Sequence, residues 1–377
     1  MIYLDYFATT PCAPEVVDAM LPWFTQDFAN PHSTHGPGQK AAHAVEVARE
    51  HVAALIGAEA REIVFTSGAT EANNIAIKGA ARHVQRMGGE RRRVITSAVE
   101  HKCVLESVKS LESEGFEPVI LPVDRHGMVD SASLEKALSV PTALVSIMAA
   151  NNETGVLQDI PTLSALARQA GAVFHTDLAQ MAGKLPVSLE HVDLASVSAH
   201  KMYGPKGVGA LYVRRRPRAR VVPLLSGGGQ ERGVRSGTLP TPLVVGFGEA
   251  ARIARGALTV EPERLAQLRD ALWQKLRDGL PGSVLNGAKV PRLPGGLNFC
   301  LPKGVSALDV MAHLPDIAMS TGSACSAAEL APSYVLTAMG LPEAEASRCL
   351  RLSVGRFTSN AEIDRAAALL VDVARVS

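Results

Sequence analysis

Val173-Phe174-His175-Thr176-Asp177, followed by Leu194-Ala195-Ser196-Val197-Ser198 and then Ala199-His200-Lys201, decides how the chain is read. Both runs are short, apolar and bounded by polar residues, as strands buried on both faces are. Working outward, similar runs stand at Ile63–Thr66, Val94–Ser97, Pro118–Leu121, Ala143–Met148 and Gly209–Val213. Helical patterns separate most of them, among them Ala72–Val84, Cys103–Glu114 and Ile160–Ala170. Short strands alternating with longer helices predict an α/β fold with a mainly parallel central sheet covered by helices. In such sheets ligands bind beyond the carboxyl ends of the strands, so the chemistry is sought there.

From about Pro240 the pattern changes. Helical stretches Thr241–Arg255 and Glu261–Asp278 precede short strands at Gly296–Leu301 and Leu350–Val354, with Pro291–Gly296 as the leading turn and Ala361–Val376 as a closing helix. This predicts a smaller α+β domain. A chain of 377 residues is long enough for two domains. The expected division is a large domain over 13–258 and a small one made of 1–12 with 259–377. No internal repeat is seen.

Composition narrows the function classes. With 47% hydrophobic and 20% charged residues the chain reads as soluble and globular. A net charge of +1 gives no global field toward nucleic acid or membrane, so direct nucleic-acid binding is not expected. No run of about 18 apolar residues appears, and Met1-Ile2-Tyr3-Leu4-Asp5 does not open a secretory leader. The five cysteines, Cys12, Cys103, Cys300, Cys325 and Cys349, are odd in number and show no C-x-x-C spacing, so neither a disulfide framework nor a zinc site is expected. Cys300 and Cys349 lie in apolar runs and read as core residues. A reducing cytoplasm fits this usage.

Several strand ends carry chemistry. A lysine at a strand end ordinarily points into water. Where it leaves a core, as Lys201 does, it can be desolvated into a Schiff-base nucleophile. Asp177, at the end of a neighbouring apolar strand, can cap a helix or pair with the protonated pyridine nitrogen of pyridoxal phosphate. Strand alternation places Ala179 on the face of Asp177, where a small side chain lets a flat ring lie, and Gln180 within reach of a phenolic oxygen. Thr66-Ser67-Gly68-Ala69-Thr70-Glu71 is a strand, a small-residue turn and a helix start, either a well-capped helix or an anion site. It is not a dinucleotide fingerprint or a P-loop. His101 and the run Asn151-Asn152-Glu153-Thr154-Gly155 follow strands into the same crevice.

Two further features lie toward the C-terminus. Ser320-Thr321-Gly322-Ser323-Ala324-Cys325-Ser326 lacks a bulky anchor and suits a mobile loop bearing an exposed thiol. Arg351 stands inside an apolar strand, where its fork fits either a substrate carboxylate or a structural ion pair.

These motifs, with Leu4-Asp5-Tyr6-Phe7-Ala8-Thr9-Thr10-Pro11, Asn30-Pro31 and Gly227–Thr238, occur in the order found in one family. The chain resembles NifS/IscS-type cysteine desulfurases of the fold-type I, class V aminotransferase superfamily over nearly its whole length. The resemblance implies pyridoxal 5′-phosphate as cofactor, held by the Lys201 amine. Asp177 would pair with its ring nitrogen, Gln180 would contact its phenolate oxygen and His101 would stack on the ring. Ala69, Thr70, Ser198 and His200 would hold its phosphate, with Thr238 reaching the phosphate of a neighbouring subunit. A homodimer follows. Asn152 would sit beside cofactor and substrate, and Asn30 and Arg351 would bind the substrate carboxylate.

The implied reaction removes sulfur from L-cysteine. The freed Lys201 amine moves the Cα proton, Cys325 takes the sulfur as a persulfide, and alanine leaves. An acceptor protein such as an iron–sulfur scaffold would receive the sulfur. Related alternatives are a selenocysteine lyase or an aminotransferase, the latter disfavoured by the thiol loop. A non-enzymatic adaptor using the basic run Arg214–Arg220 is a third reading. Three departures stand out. Phe7 is expected to narrow the substrate entrance, and Leu178 follows Asp177 but should point away from the ring. The chain also ends about twenty residues after Arg356, short of the tail that housekeeping members use to dock a scaffold.

Overall fold

The computed structural model describes residues 1–321 and 332–376. Its main sheet has seven strands in the spatial order Ile63–Thr66, Gly209–Val213, Leu194–Ser198, Val173–Asp177, Thr142–Ser146, Arg93–Ser97 and Glu117–Leu121. Gly209–Val213 runs antiparallel to both neighbours, and every other pairing is parallel. The expected α/β architecture is what the chain adopts. The central strands are buried along their whole length, which is why they read as uninterrupted apolar runs.

Several helices of this layer were not named in the sequence reading, the longest of them Gly36–Ile56. Gly36–Ile56 is 21 residues long and alanine-rich, so its buried stripe stands out little from its other faces. His35 caps its start by accepting from the Gly38 N–H, and Gly57, at φ 74°, ends it in the left-handed region. It packs on the helix Thr241–Ala257. Gly248 makes that contact close, since a Cβ there would meet Ala48 Cα at 2.5 Å.

A second hydrophobic cluster is built on the antiparallel strands Gly296–Cys300 and Cys349–Ser353. Helices Glu261–Gly279 and Asn360–Val376 cover it with Leu268, Leu272, Leu276 and Leu370. Each such leucine contributes about 2 kcal/mol on leaving water. The N-terminal arm belongs to this cluster through Ile2 and Leu4. The Phe7 N–H donates to Ser353 Oγ of this cluster, and the arm then crosses to the main domain's side, where the Thr10 N–H donates to the His200 carbonyl.

Cys300 and Cys349 are core residues as expected, 3% and 0% exposed. The expectation that no disulfide forms needs correction: antiparallel register sets the two opposite each other, Cα to Cα 3.9 Å, as a disulfide. Spacing alone could not supply that register, because the two lie 49 residues apart. The basic run Arg214–Arg220 folds as a tight hairpin closed by Arg215 and Arg218, with the Arg214 guanidinium donating to the Val192 carbonyl.

Candidate active site

Segments from across the fold meet at one cavity of about 520 Å³, a size suited to a cofactor with a small substrate. Ala69, Thr70, His101, Asn152, Asp177, Gln180, Ser198, His200, Lys201 and Arg351 all line it. All but Arg351 follow or end strands of the main sheet, which sets them side by side; Arg351 comes from the middle of Cys349–Ser353 in the second sheet. Asn30 and Thr238 do not line it; both are exposed in the single chain. Cys325 lies outside the described residues.

Lys201 follows Leu194–Ser198 in a single 3-10 turn. Its Nζ donates to the carbonyls of Phe7 at 2.6 Å and Ala8 at 2.7 Å. The N-terminal arm therefore holds the amine at the cavity. Phe7 lines the cavity; it is 1% exposed, its ring packs with Ala150 and Leu293, and its carbonyl serves the site. Leu178 is buried in the core beneath, pointing away as expected.

Asp177 is also fixed from two sides. One carboxylate oxygen accepts from the Ala179 N–H at 2.8 Å, the other from Asn73 Nδ2 at 2.8 Å. Asn73 reaches further, donating to Cys103 Sγ at 3.2 Å, and that sulfur lies 3.0 Å from His101 Nδ1. A chain of contacts thus joins the carboxylate to the imidazole. The sequence reading missed Asn73 and Cys103. The available signal was their place in the first turns of helices that follow crevice-forming strands, Asn73 fifth in Ala69–Arg86 and Cys103 second in Lys102–Ser110. His101 is itself the cap of Lys102–Ser110, its Nδ1 accepting from the Cys103 N–H, so the proton of a neutral ring resides on Nε2.

Burial sets the charge state of several neighbours. The His200 imidazole is pushed down to about 4 by desolvation, with Lys201, Lys206 and Lys184 adding repulsion. It is neutral at physiological pH, and its Nδ1 lies 3.1 Å from Thr9 Oγ1. Glu100, fully buried behind His101, is pushed up to about 8 by desolvation, against hydrogen bonds from the Met148 N–H and Ser97 Oγ. Glu153 is raised by burial as well and accepts from Ser333 Oγ. Arg351 donates to Asp5 Oδ1 at 2.8 Å and to the Asn152 carbonyl at 3.0 Å, so it is ion-paired while it borders the cavity.

The residues present fit pyridoxal phosphate. The helix Ala69–Arg86 follows Gly68, at φ 153°, and its N-terminal residues Ala69 and Thr70 line the cavity, where the free N–H groups of a helix start suit a phosphate. Gly209 keeps that turn close to the sheet, since a Cβ there would meet Gly68 Cα at 2.7 Å. Asn152 Oδ1 is buried with no hydrogen-bond partner among the described residues, as expected of a group awaiting a ligand. An amine and a carboxylate share the cavity, which is the pair such a cofactor requires. No helix among the described residues is long and apolar enough to cross a membrane, and no cluster of metal-ligating side chains occurs among them.

Comparison with known proteins agrees with this geometry. The aminotransferase class-V family model matches residues 2–366. A cysteine desulfurase IscS of Rickettsia bellii is 48% identical over 98% of this chain and 90% of its own. A solved NifS-like protein superposes with a TM-score of 0.91 at 35% identity, covering all of both chains. A structure described as SspA in complex with cysteine superposes with a TM-score of 0.84 at 39% identity, covering 95% of this chain and all of that one. From the family match along nearly its entire length, this chain belongs to the class-V aminotransferases, which work with pyridoxal phosphate.

Proposed function

We propose that the protein is a cysteine desulfurase, converting L-cysteine to L-alanine and leaving the sulfur as a persulfide on Cys325. The observation that carries the reading is the convergence of Lys201, Asp177 and Arg351 on one cavity. Relatives named cysteine desulfurase, matched along nearly the whole chain, support it.

Pyridoxal phosphate, when bound, supplies a sink for the electron pair left when the substrate loses its Cα proton. The rest falls to the chain's own residues. Lys201 would hold the cofactor through its amine and would serve as the base that moves the Cα proton. Asp177, its carboxylate already oriented by Ala179 and Asn73, would pair with the ring nitrogen. His101 would stack on the ring, and Gln180 would donate to its phenolic oxygen. Ala69, Thr70, Ser198 and His200 would hold the phosphate, a neutral His200 through hydrogen bonds rather than charge. Arg351 takes the substrate carboxylate bidentately, with Asn30 and Asn152 beside it. Cys325, as thiolate, attacks the substrate sulfur and the carbon–sulfur bond breaks toward carbon.

In this reading the large domain spans 13–258, and 1–12 with 259–377 form the small one. The enzyme works as a cytoplasmic homodimer in which Thr238 completes the partner's phosphate site. It hands sulfur to an acceptor protein such as an iron–sulfur scaffold. The test is direct. Purified protein should be yellow and release alanine and sulfide in equal amounts from cysteine with a thiol reductant. Cys325→Ala should keep the colour and lose the turnover. Desulfuration by Cys325→Ala at the parent rate would overturn the persulfide assignment. Faster turnover of selenocysteine, or of an amino-acid and keto-acid pair, would move the reading to a lyase or an aminotransferase.

A further inference from the structure

A second lysine lies beside Lys201 and has no part in the mechanism above. Lys184 Nζ donates to the backbone carbonyl of Gln180 at 3.1 Å and to the Oε1 of the same residue at 2.9 Å. It also stands 5.0 Å from the centre of the Phe7 ring, on which its charge is favourably placed. On the other side of the carboxamide, Gln180 Nε2 donates to the Phe7 carbonyl at 2.9 Å. That carbonyl is the one that also accepts from Lys201.

The donor inventory makes this a one-way arrangement. A lysine ammonium has only hydrogens to offer, so the atom facing it must be the amide oxygen. A carbonyl has only lone pairs, so the atom facing Phe7 must be the amide nitrogen. The carboxamide is therefore locked against a flip from both ends. Its second N–H is left as a donor toward the cavity that Gln180 lines. Reversed, the same side chain would turn lone pairs toward an anionic oxygen of a bound ligand.

We propose that Lys184 is a positioning residue that holds Gln180 as a hydrogen-bond donor toward the phenolic oxygen of the cofactor. The proposal rests on the pyridoxal-phosphate reading above and deepens it. Burial, with Lys201 adding repulsion, takes the Lys184 amine down to about 7. The Phe7 carbonyl fixes the amide nitrogen in either protonation state of Lys184, whose N–H groups reach both Gln180 oxygens.

The test reads the bound cofactor's absorption rather than turnover. In the holoenzyme, Lys184→Met should raise the pH midpoint of the cofactor's absorption change by about one unit, because a donor to the anionic form is lost. Lys184→Arg, which keeps the donors, should titrate close to the parent. In a Gln180→Leu background, Lys184→Met should add no further shift, since nothing remains for it to orient. Lys184→Gln is measured in the same way and decides the question if the Met variant is too unstable to purify. An unchanged midpoint, or an equal shift with and without Gln180, would overturn the proposal, the second result pointing to a through-space charge effect. A parent protein without cofactor absorption would instead overturn the function proposed above.

Discussion

Two arginines in this molecule are almost equally buried and differ in what they do. Arg49 and Arg351 have side chains only 3% and 2% exposed, and each meets a carboxylate, Glu231 at 2.7 Å and Asp5 at 2.8 Å. Arg49 sits inside protein on every side. Its two terminal nitrogens form a fork–fork pair with Glu231, Nη1 also reaches the Ile63 carbonyl, and Nε meets Glu46. Glu231 in turn accepts from the Phe65 N–H, so the pair ties the loop around 231 to an edge strand of the sheet. Arg351 instead gives one nitrogen to Asp5 and another to a backbone carbonyl, and it forms part of the cavity wall. Burial and an acidic partner are common to both, so neither identifies a binding arginine. What separates them is whether the fork is consumed by one carboxylate or divided at the edge of a cavity.

The comparison breaks most visibly at Arg49. Arg49→Met strands Glu231 as a buried charge and should cost about 4 kcal/mol in denaturation experiments, with kcat/KM of the folded fraction unchanged. A stable Arg49→Met would mean that the pair is not what fastens the loop. Arg351→Lys should show the opposite pattern. The charge opposite Asp5 is kept, so stability moves little, but the fork is lost and kcat/KM for cysteine should fall about 100-fold, mostly through KM. Unchanged kinetics would place Arg351 with Arg49.

Glu100 sharpens the contrast as a buried acid with no arginine or lysine paired to it among the described residues. Its Oε2 has no hydrogen-bond partner among them either, and burial holds its proton up to about 8. The folded state thus keeps a proton that the unfolded chain, near 4.5, has released. The folded form binds more protons across that window, so stability falls as pH rises from 4.5 to 8. Glu100→Gln removes this slope. Relative to the parent it should gain about 1 to 2 kcal/mol between about pH 5 and pH 8 in chemical denaturation. Parallel curves at the two pH values would show that Glu100 is ionised in the fold.

What the sequence made legible follows the same division. Val173–Asp177 and Leu194–Ser198 were readable because strands buried on both faces must be apolar, and their ends mark the crevice. Asp177, His101, Lys201 and Arg351 stood out because each is a polar residue at or within such a run. Glu231 did not, for it lies in a glycine-rich loop and meets Arg49 across 182 residues. The Cys300–Cys349 pair, the Asn73–Cys103 link and the clamp on Gln180 depend on register and side-chain direction, which periodicity does not encode. The inward turn of the Phe7 ring belongs with them: a residue type suggests bulk, but only the path of the arm tells where the bulk goes.

The path of that arm has a consequence for how the enzyme comes into being. Residues 7 and 8 hold Lys201, and Asp5 holds Arg351, 346 residues away. A segment early in the chain therefore waits for one translated 346 residues later before this wall of the pocket is whole.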